Sequence, residues 1–171
     1  MNLNLKRNTP ADAAPDAAEA ALARGLAEFC SAFELAGAGL ADDALRVETL
    51  RERLWQQLQA AAPLWRNGAA ERVLPGILNV GFAGIEGESL LLEIDGRVAA
   101  SSGAACSSAT GEPSYVLRAL GRSDPAIQAS LRLSLGRGTT PEDVDYAADV
   151  LVQAVARLRA ALPAGALERV A

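Results

Sequence analysis

The side chains best equipped for chemistry are one thiol and one guanidinium. Cys106 lies inside Ser101-Ser102-Gly103-Ala104-Ala105-Cys106-Ser107-Ser108-Ala109-Thr110-Gly111-Glu112-Pro113-Ser114, a run of small side chains. Gly103 and Gly111 open backbone angles closed to other residues, and six serines and threonines flank the sulfur with little bulk. A thiolate on such a loop is a nucleophile when it is exposed and electropositive neighbours favour its ionisation. An inert cysteine packed in the interior is the other outcome, and the local residues leave both open. Arg132 falls in Ser130-Leu131-Arg132-Leu133-Ser134-Leu135, off the leucine-bearing side of an alternating run. Its guanidinium suits bidentate capture of a carboxylate, as recognition of an amino acid requires; a surface salt bridge is the alternative.

What the chain lacks narrows the chemistry further. It contains no histidine, which removes Ser-His and Cys-His nucleophile pairs and histidine-ligated metal sites together. Its only lysine is Lys6, near the N-terminus. The net charge of −5 offers nothing to nucleic acid or to an anionic membrane surface. Two cysteines make no disulfide framework, and with no apolar leader or membrane-length run the expectation is a soluble, cytoplasmic protein. Half of its 171 residues are hydrophobic but only 4% are aromatic, which favours helices packed by small side chains.

The elements that must position Cys106 and Arg132 follow from periodicity. Residues 1–16 read as a loose N-terminal arm, 17–163 as one domain and 164–171 as a tail. A first helix is predicted over 17–36, with Leu22, Leu26, Phe29 and Phe33 in one apolar stripe and Cys30 beside it as core. Gly37 and Gly39 should break it. A second helix is predicted over 42–62, with Val47, Leu50, Leu54 and Leu58 inward and Arg46, Glu48, Arg51, Glu52 and Arg53 as a solvated face, ended by Pro63. Trp55 and Trp65 cap the apolar layer and receive no chemical role. Strands follow at 77–82, 98–101 and 130–135, with short helices at 86–94 and 113–120, the second closed by Gly121. The last helix starts at Thr140 as N-cap, with Pro141 in its first turn and Asp143 completing a capping box. Val144, Ala148, Leu151, Val155, Leu158 and Leu162 form its stripe, and Pro163 stops it. The class is α+β: a small, largely antiparallel sheet covered by helices.

Ser101 to Gly121 (SSGAACSSATGEPSYVLRALG) resembles the active-site cysteine loop of the cysteine desulfurases, pyridoxal-phosphate enzymes of the class V aminotransferase group that start iron–sulfur cluster assembly. Pro75 to Phe82, Glu86 to Leu91 and Ser130 to Thr140 resemble the same family, in order and in register over about residues 74–160. The resemblance implies the small C-terminal domain of a fold-type I pyridoxal-phosphate enzyme. It implies that Cys106 takes sulfur from L-cysteine as a persulfide, leaving alanine, and that Arg132 grips the substrate α-carboxylate. It implies delivery of that sulfur to an iron–sulfur scaffold or a sulfur-carrier protein, with Cys106 a possible transient ligand to iron on the scaffold and no metal site of the chain's own. Arg7-Asn8-Thr9 faintly resembles a loop that reaches a neighbouring subunit's cofactor phosphate, and Arg137 has no assigned role. The cofactor's lysine and ring-stacking histidine belong to a large domain that precedes this stretch in the family. Three readings follow: a C-terminal part working with a separate pyridoxal-phosphate-bearing chain and inactive alone, a stand-alone persulfide carrier or scaffold-binding module, or an inactive gene remnant.

Overall fold

The computed structural model describes residues 17–69, 71–102 and 113–162. The chain divides into two compact units, residues 1–41 and 42–171.

In the first unit the described residues belong to helix α1 (Ala17–Leu58), which runs without interruption through Gly37 and Gly39 and continues into the second unit. The predicted break therefore does not occur. Each helical glycine costs about 1 kcal/mol against alanine, and the flanking Leu35-Ala36 and Leu40-Ala41 are strong helix formers that outweigh it. The expected burial fails as well. Leu22, Leu26, Phe29 and Phe33 are 62–75% exposed, and Cys30 is an exposed free thiol rather than a core residue.

The second unit is built on a four-stranded antiparallel sheet of β1 (Leu64–Arg66), β2 (Ile77–Phe82), β3 (Ser101–Ser102) and β4 (Ser130–Ser134), in the spatial order β1-β2-β4-β3. Period-2 alternation sends Leu78, Val80 and Phe82 of β2 and Leu131 and Leu133 of β4 to one face. There they are buried against Leu50, Leu54 and Leu58 of α1, Leu90 and Ile94 of α2 (Gly87–Ile94), and Val144, Ala148, Leu151 and Val155 of α5 (Pro141–Ala160). The α+β class with helices over a small antiparallel sheet is the one the sequence predicts. The capping box of α5 also forms: Asp143 N–H donates to Thr140 Oγ1 and Thr140 N–H to Asp143 Oδ2.

Several local features depart from expectation. The strand predicted over 98–101 is only Ser101–Ser102, while β1 and the short helix α4 (Asp124–Gln128) have no counterpart in the predicted elements. The helix before Gly121 is α3 (Tyr115–Ala119), and Gly121 closes it at φ +80°, in the left-handed region. Arg51, assigned to a solvated face, is 2% exposed. It is held by Glu48, by Glu52 and by the carbonyl of Leu74, so three acceptors compensate the buried cation. After α1 the chain turns through the cis Ala62–Pro63 peptide, where Arg159 of α5 donates to the carbonyls of Ala61, Ala62, Pro63 and Ala83.

Candidate functional site

Alternation that buries Leu131 and Leu133 turns Arg132 and Ser134 to the opposite, open face of the sheet, where both are exposed. Arg132 stands opposite Asn79 of β2 on one side and opposite Ser101 of β3 on the other. Among the described residues its guanidinium meets no carboxylate and no carbonyl. That sets it apart from most arginines of the second unit. Arg46, Arg51, Arg53, Arg66, Arg97, Arg118, Arg122, Arg137, Arg157 and Arg159 all donate to acceptors; among the described residues of this unit Arg72 is the other whose side chain does not. The surface salt bridge that would explain Arg132 as structural is not formed among the described residues.

Arg137, four residues beyond the sheet position of Leu133, is occupied instead. Its Nε donates to Asp43 Oδ2 at 2.8 Å, and its carbonyl accepts from Arg46. The guanidinium beside it holds the Asp43 carboxyl below the usual carboxylate range. It ties α1 to the loop before α5.

Beside Arg132 lies a polar network that periodicity and motif spacing do not announce. Trp65 Nε1 donates to Asn67 Oδ1 at 3.1 Å, and Asn67 Nδ2 donates to Asn79 Oδ1 at 2.7 Å and to Ser130 Oγ at 2.8 Å. Ser130 in turn donates to the carbonyl of Ala126 at 2.7 Å. Asn67 and Ser130 are buried, Asn79 is half-buried, and no buried polar side-chain atom among the described residues lacks a partner. Trp65 and Gly81 are paired in register, and the indole covers Gly81 on this same face. Period-2 patterning had put Asn79 on the polar side of its strand, but Asn67 sits outside any periodic element, so the joining residue left no signal.

Of the other predicted site residues, Cys106 and the Arg7-Asn8-Thr9 segment lie outside the described residues. What the structure gives is the point of departure of the cysteine loop: β3, which leads into it, is hydrogen-bonded to β4 at Arg132 and Leu131. An open pocket of about 270 Å³ lies elsewhere, on the apolar side among Leu54, Leu133, Val144 and Leu151, and does not include Arg132. Among the described residues no cluster of histidine, cysteine or acidic groups could hold a metal, and no helix is long and apolar enough to cross a membrane.

Comparison with known proteins puts this arrangement in context. The class-V aminotransferase profile matches residues 13–147. The chain belongs to the class-V aminotransferase family. Among curated relatives it is similar to the cysteine desulfurase IscS of Edwardsiella ictaluri, 47% identical over 132 residues, which are 77% of this chain and 32% of that protein. The cysteine desulfurase IscS of Klebsiella pneumoniae is 45% identical over the same shares. The chain thus spans about a third of the length of the curated relatives it matches. Among solved structures, a NifS-like protein superposes with a TM-score of 0.59 at 26% identity, over 75% of this chain and 31% of that one. The NifS-like protein of Rickettsia africae, at TM-score 0.58 and 18% identity over 70% of this chain and 31% of that one, shares the fold.

Pyridoxal phosphate, the cofactor that the resemblance implies, is held in enzymes through a lysine Schiff base. The described residues contain no lysine and no histidine, so by themselves they do not fit it.

Proposed function

We propose that this chain is the sulfur-accepting and carboxylate-binding part of a cysteine desulfurase. In this reading Arg132 holds the α-carboxylate of L-cysteine, and Cys106 receives its sulfur. In the net reaction the substrate's carbon–sulfur bond breaks, a sulfur–sulfur bond forms on Cys106, and cysteine plus the thiol become alanine plus a persulfide. The persulfide then passes to an iron–sulfur scaffold or a sulfur carrier. A pyridoxal-phosphate-bearing region or partner chain supplies the cofactor that the described residues do not fit, so the chain is inactive alone.

The observation that carries this reading is the guanidinium of Arg132, unpartnered among the described residues, on the open sheet face and hydrogen-bonded through its strand to the residues that open the cysteine loop. In the sequence Cys106 follows Ser102 by four residues, and Ser102 is paired with β4 next to Arg132, which supports the reading.

The test is reconstitution. Mixed with a cofactor-bearing domain from the same source, the chain should release alanine from cysteine and accumulate alkylatable persulfide on Cys106. Cys106→Ser should abolish persulfide formation. Arg132→Ala should raise KM by roughly 10- to 150-fold, the equivalent of one charge-assisted contact. An inactive mixture whose Cys106 still accepts sulfur from a complete desulfurase would favour the carrier reading. Neither activity would leave a folded remnant.

A further inference from the structure

The network beside Arg132 has an orientation that its chemistry fixes. An indole N–H donates only, so the Asn67 atom facing Trp65 Nε1 must be the amide oxygen. That turns Asn67 Nδ2 the other way, and its two hydrogens are both committed, one to Asn79 and one to Ser130. Ser130 can accept because its own proton goes to the carbonyl of Ala126. The Asn79 atom facing Asn67 must then be an acceptor, Oδ1. Its Nδ2, with two donors, is left pointing away from Asn67, and among the described residues nothing accepts from it.

Asn79 is directly opposite Arg132 in the antiparallel register, so their Cβ atoms share the open face at about 5 Å. Two donor groups therefore stand side by side, one cationic and one neutral, with no acceptor between them among the described residues. A donor-only pair of this kind suits a ligand carrying two acceptor oxygens and a negative charge. We propose that Asn79 Nδ2 is a second donor to the carboxylate held by Arg132, and that Trp65, acting through Asn67, is the positioning residue that keeps this amide from turning its oxygen toward the anion. The proposal rests on the reading of Arg132 as the carboxylate clamp. It makes Asn79 a contact to substrate, and it makes Trp65 and Asn67 residues that act through it. The neutral donor also has a use that a second cation would lack: it adds a hydrogen bond without repelling the guanidinium.

The two claims separate in a titration of the whole chain followed by nitrogen–proton NMR, reading the Asn79 side-chain amide and the Arg132 Nε–H. The probe is L-alanine, with L-alaninamide as the control that lacks a carboxylate. Both signals should move with one dissociation constant for L-alanine and stay still for L-alaninamide. Asn79→Asp keeps the acceptor for Asn67 in an isosteric side chain but replaces the donors with a negative charge, and it should weaken binding by at least about tenfold, as loss of a charge-assisted hydrogen bond requires. Trp65→Phe should weaken binding several-fold while the Arg132 signal still responds, which a purely structural role for the indole would not produce. If Arg132 responds, Asn79 does not and Asn79→Asp binds like the parent, the second donor is refuted and the clamp stands. If neither signal responds to L-alanine, the clamp fails and the proposal with it.

Discussion

Gly81→Ala is the sharpest test of how this face is built. A Cβ on Gly81 would lie 2.2 Å from Trp65 Cε2, 2.3 Å from Cζ2 and 2.7 Å from Nε1. Carbon atoms approach no closer than about 3.5 Å without repulsion, so the indole must move by roughly 1.3 Å or more. The Trp65–Asn67 hydrogen bond starts at 3.1 Å and does not survive such a shift. Overpacking costs about 1–3 kcal/mol, and a stranded buried acceptor on Asn67 adds about 1–3 kcal/mol. The total is about 2–6 kcal/mol. At about 2–4 °C per kcal/mol for a chain of this size, the melting temperature should fall by roughly 4–24 °C. Circular dichroism measures the melt. Trp65 emission, read in a Trp55→Phe background so that one indole remains, should shift to the red as the ring leaves its site. The decisive comparison is a double-mutant cycle with Trp65→Ala: once the indole is truncated, Gly81→Ala should cost under about 0.5 kcal/mol. An equal cost in both backgrounds would mean that Gly81 answers to something other than the indole.

Three further outcomes are expected. Arg159→Met, which keeps the apolar stem but loses the donors to four carbonyls, should destabilise by about 2 kcal/mol in urea unfolding, and Arg159→Lys should recover only part of it because an ammonium lacks the guanidinium's planar spread. The paired Arg66 guanidinium, helped by Arg51, holds Glu52 below its ordinary pKa of 4.5, so its contribution to stability is present above that value and is lost as pH falls through the lower folded pKa. Glu52 is 41% exposed, which keeps the effect to about 0.5–1 kcal/mol, and Glu52→Gln should flatten that part of the acid unfolding curve while lowering stability at neutral pH. In a Cys106→Ser background Cys30 should react with a thiol reagent in the folded chain and the label should vanish when Cys30→Ser is added; protection until denaturant is added would contradict its exposure.

The apolar code of the second unit was legible because each element there is half-buried. Leu78, Val80, Leu131 and Leu133 alternate with polar residues, Val144 to Val155 recur at helical spacing, and Thr140 announces its helix with a side chain that caps it. The N-terminal stripe misled because periodicity records which residues share a face, not whether anything covers it: Leu22, Phe29 and Phe33 do lie along one helix, yet they are exposed. Gly37 and Gly39 misled for a related reason, since a glycine penalty of about 1 kcal/mol is small beside many good helix formers in sequence. Arg51 was hidden by type, as charged residues on a helix rarely go inside unless several acceptors meet them. Arg132 was placed on its face by alternation, but its lack of a partner could be seen only in three dimensions. The amide network was out of reach altogether, because Trp65, Asn67, Asn79 and Ser130 come together through strand pairing across 63 residues.

The core and the candidate site are coupled through register. Shifting β4 by one residue would send Leu131 and Leu133, 0% and 5% exposed, to the open face and drive Arg132 into the layer between sheet and helices. Losing burial of two leucines costs about 3–6 kcal/mol, and an unpaired guanidinium in an apolar layer costs several more. That penalty is comparable with the whole stability of a domain this size, so the slipped register is not populated. The apolar side of β4 thus fixes where the guanidinium stands, and pairing with β2 and β3 fixes what stands beside it: an oriented amide on one side and the start of the cysteine loop on the other. A substitution at Leu131 or Leu133 should therefore disturb carboxylate binding without touching the ligand, whereas one at Ser134, exposed and one step further along the same face, should leave it intact.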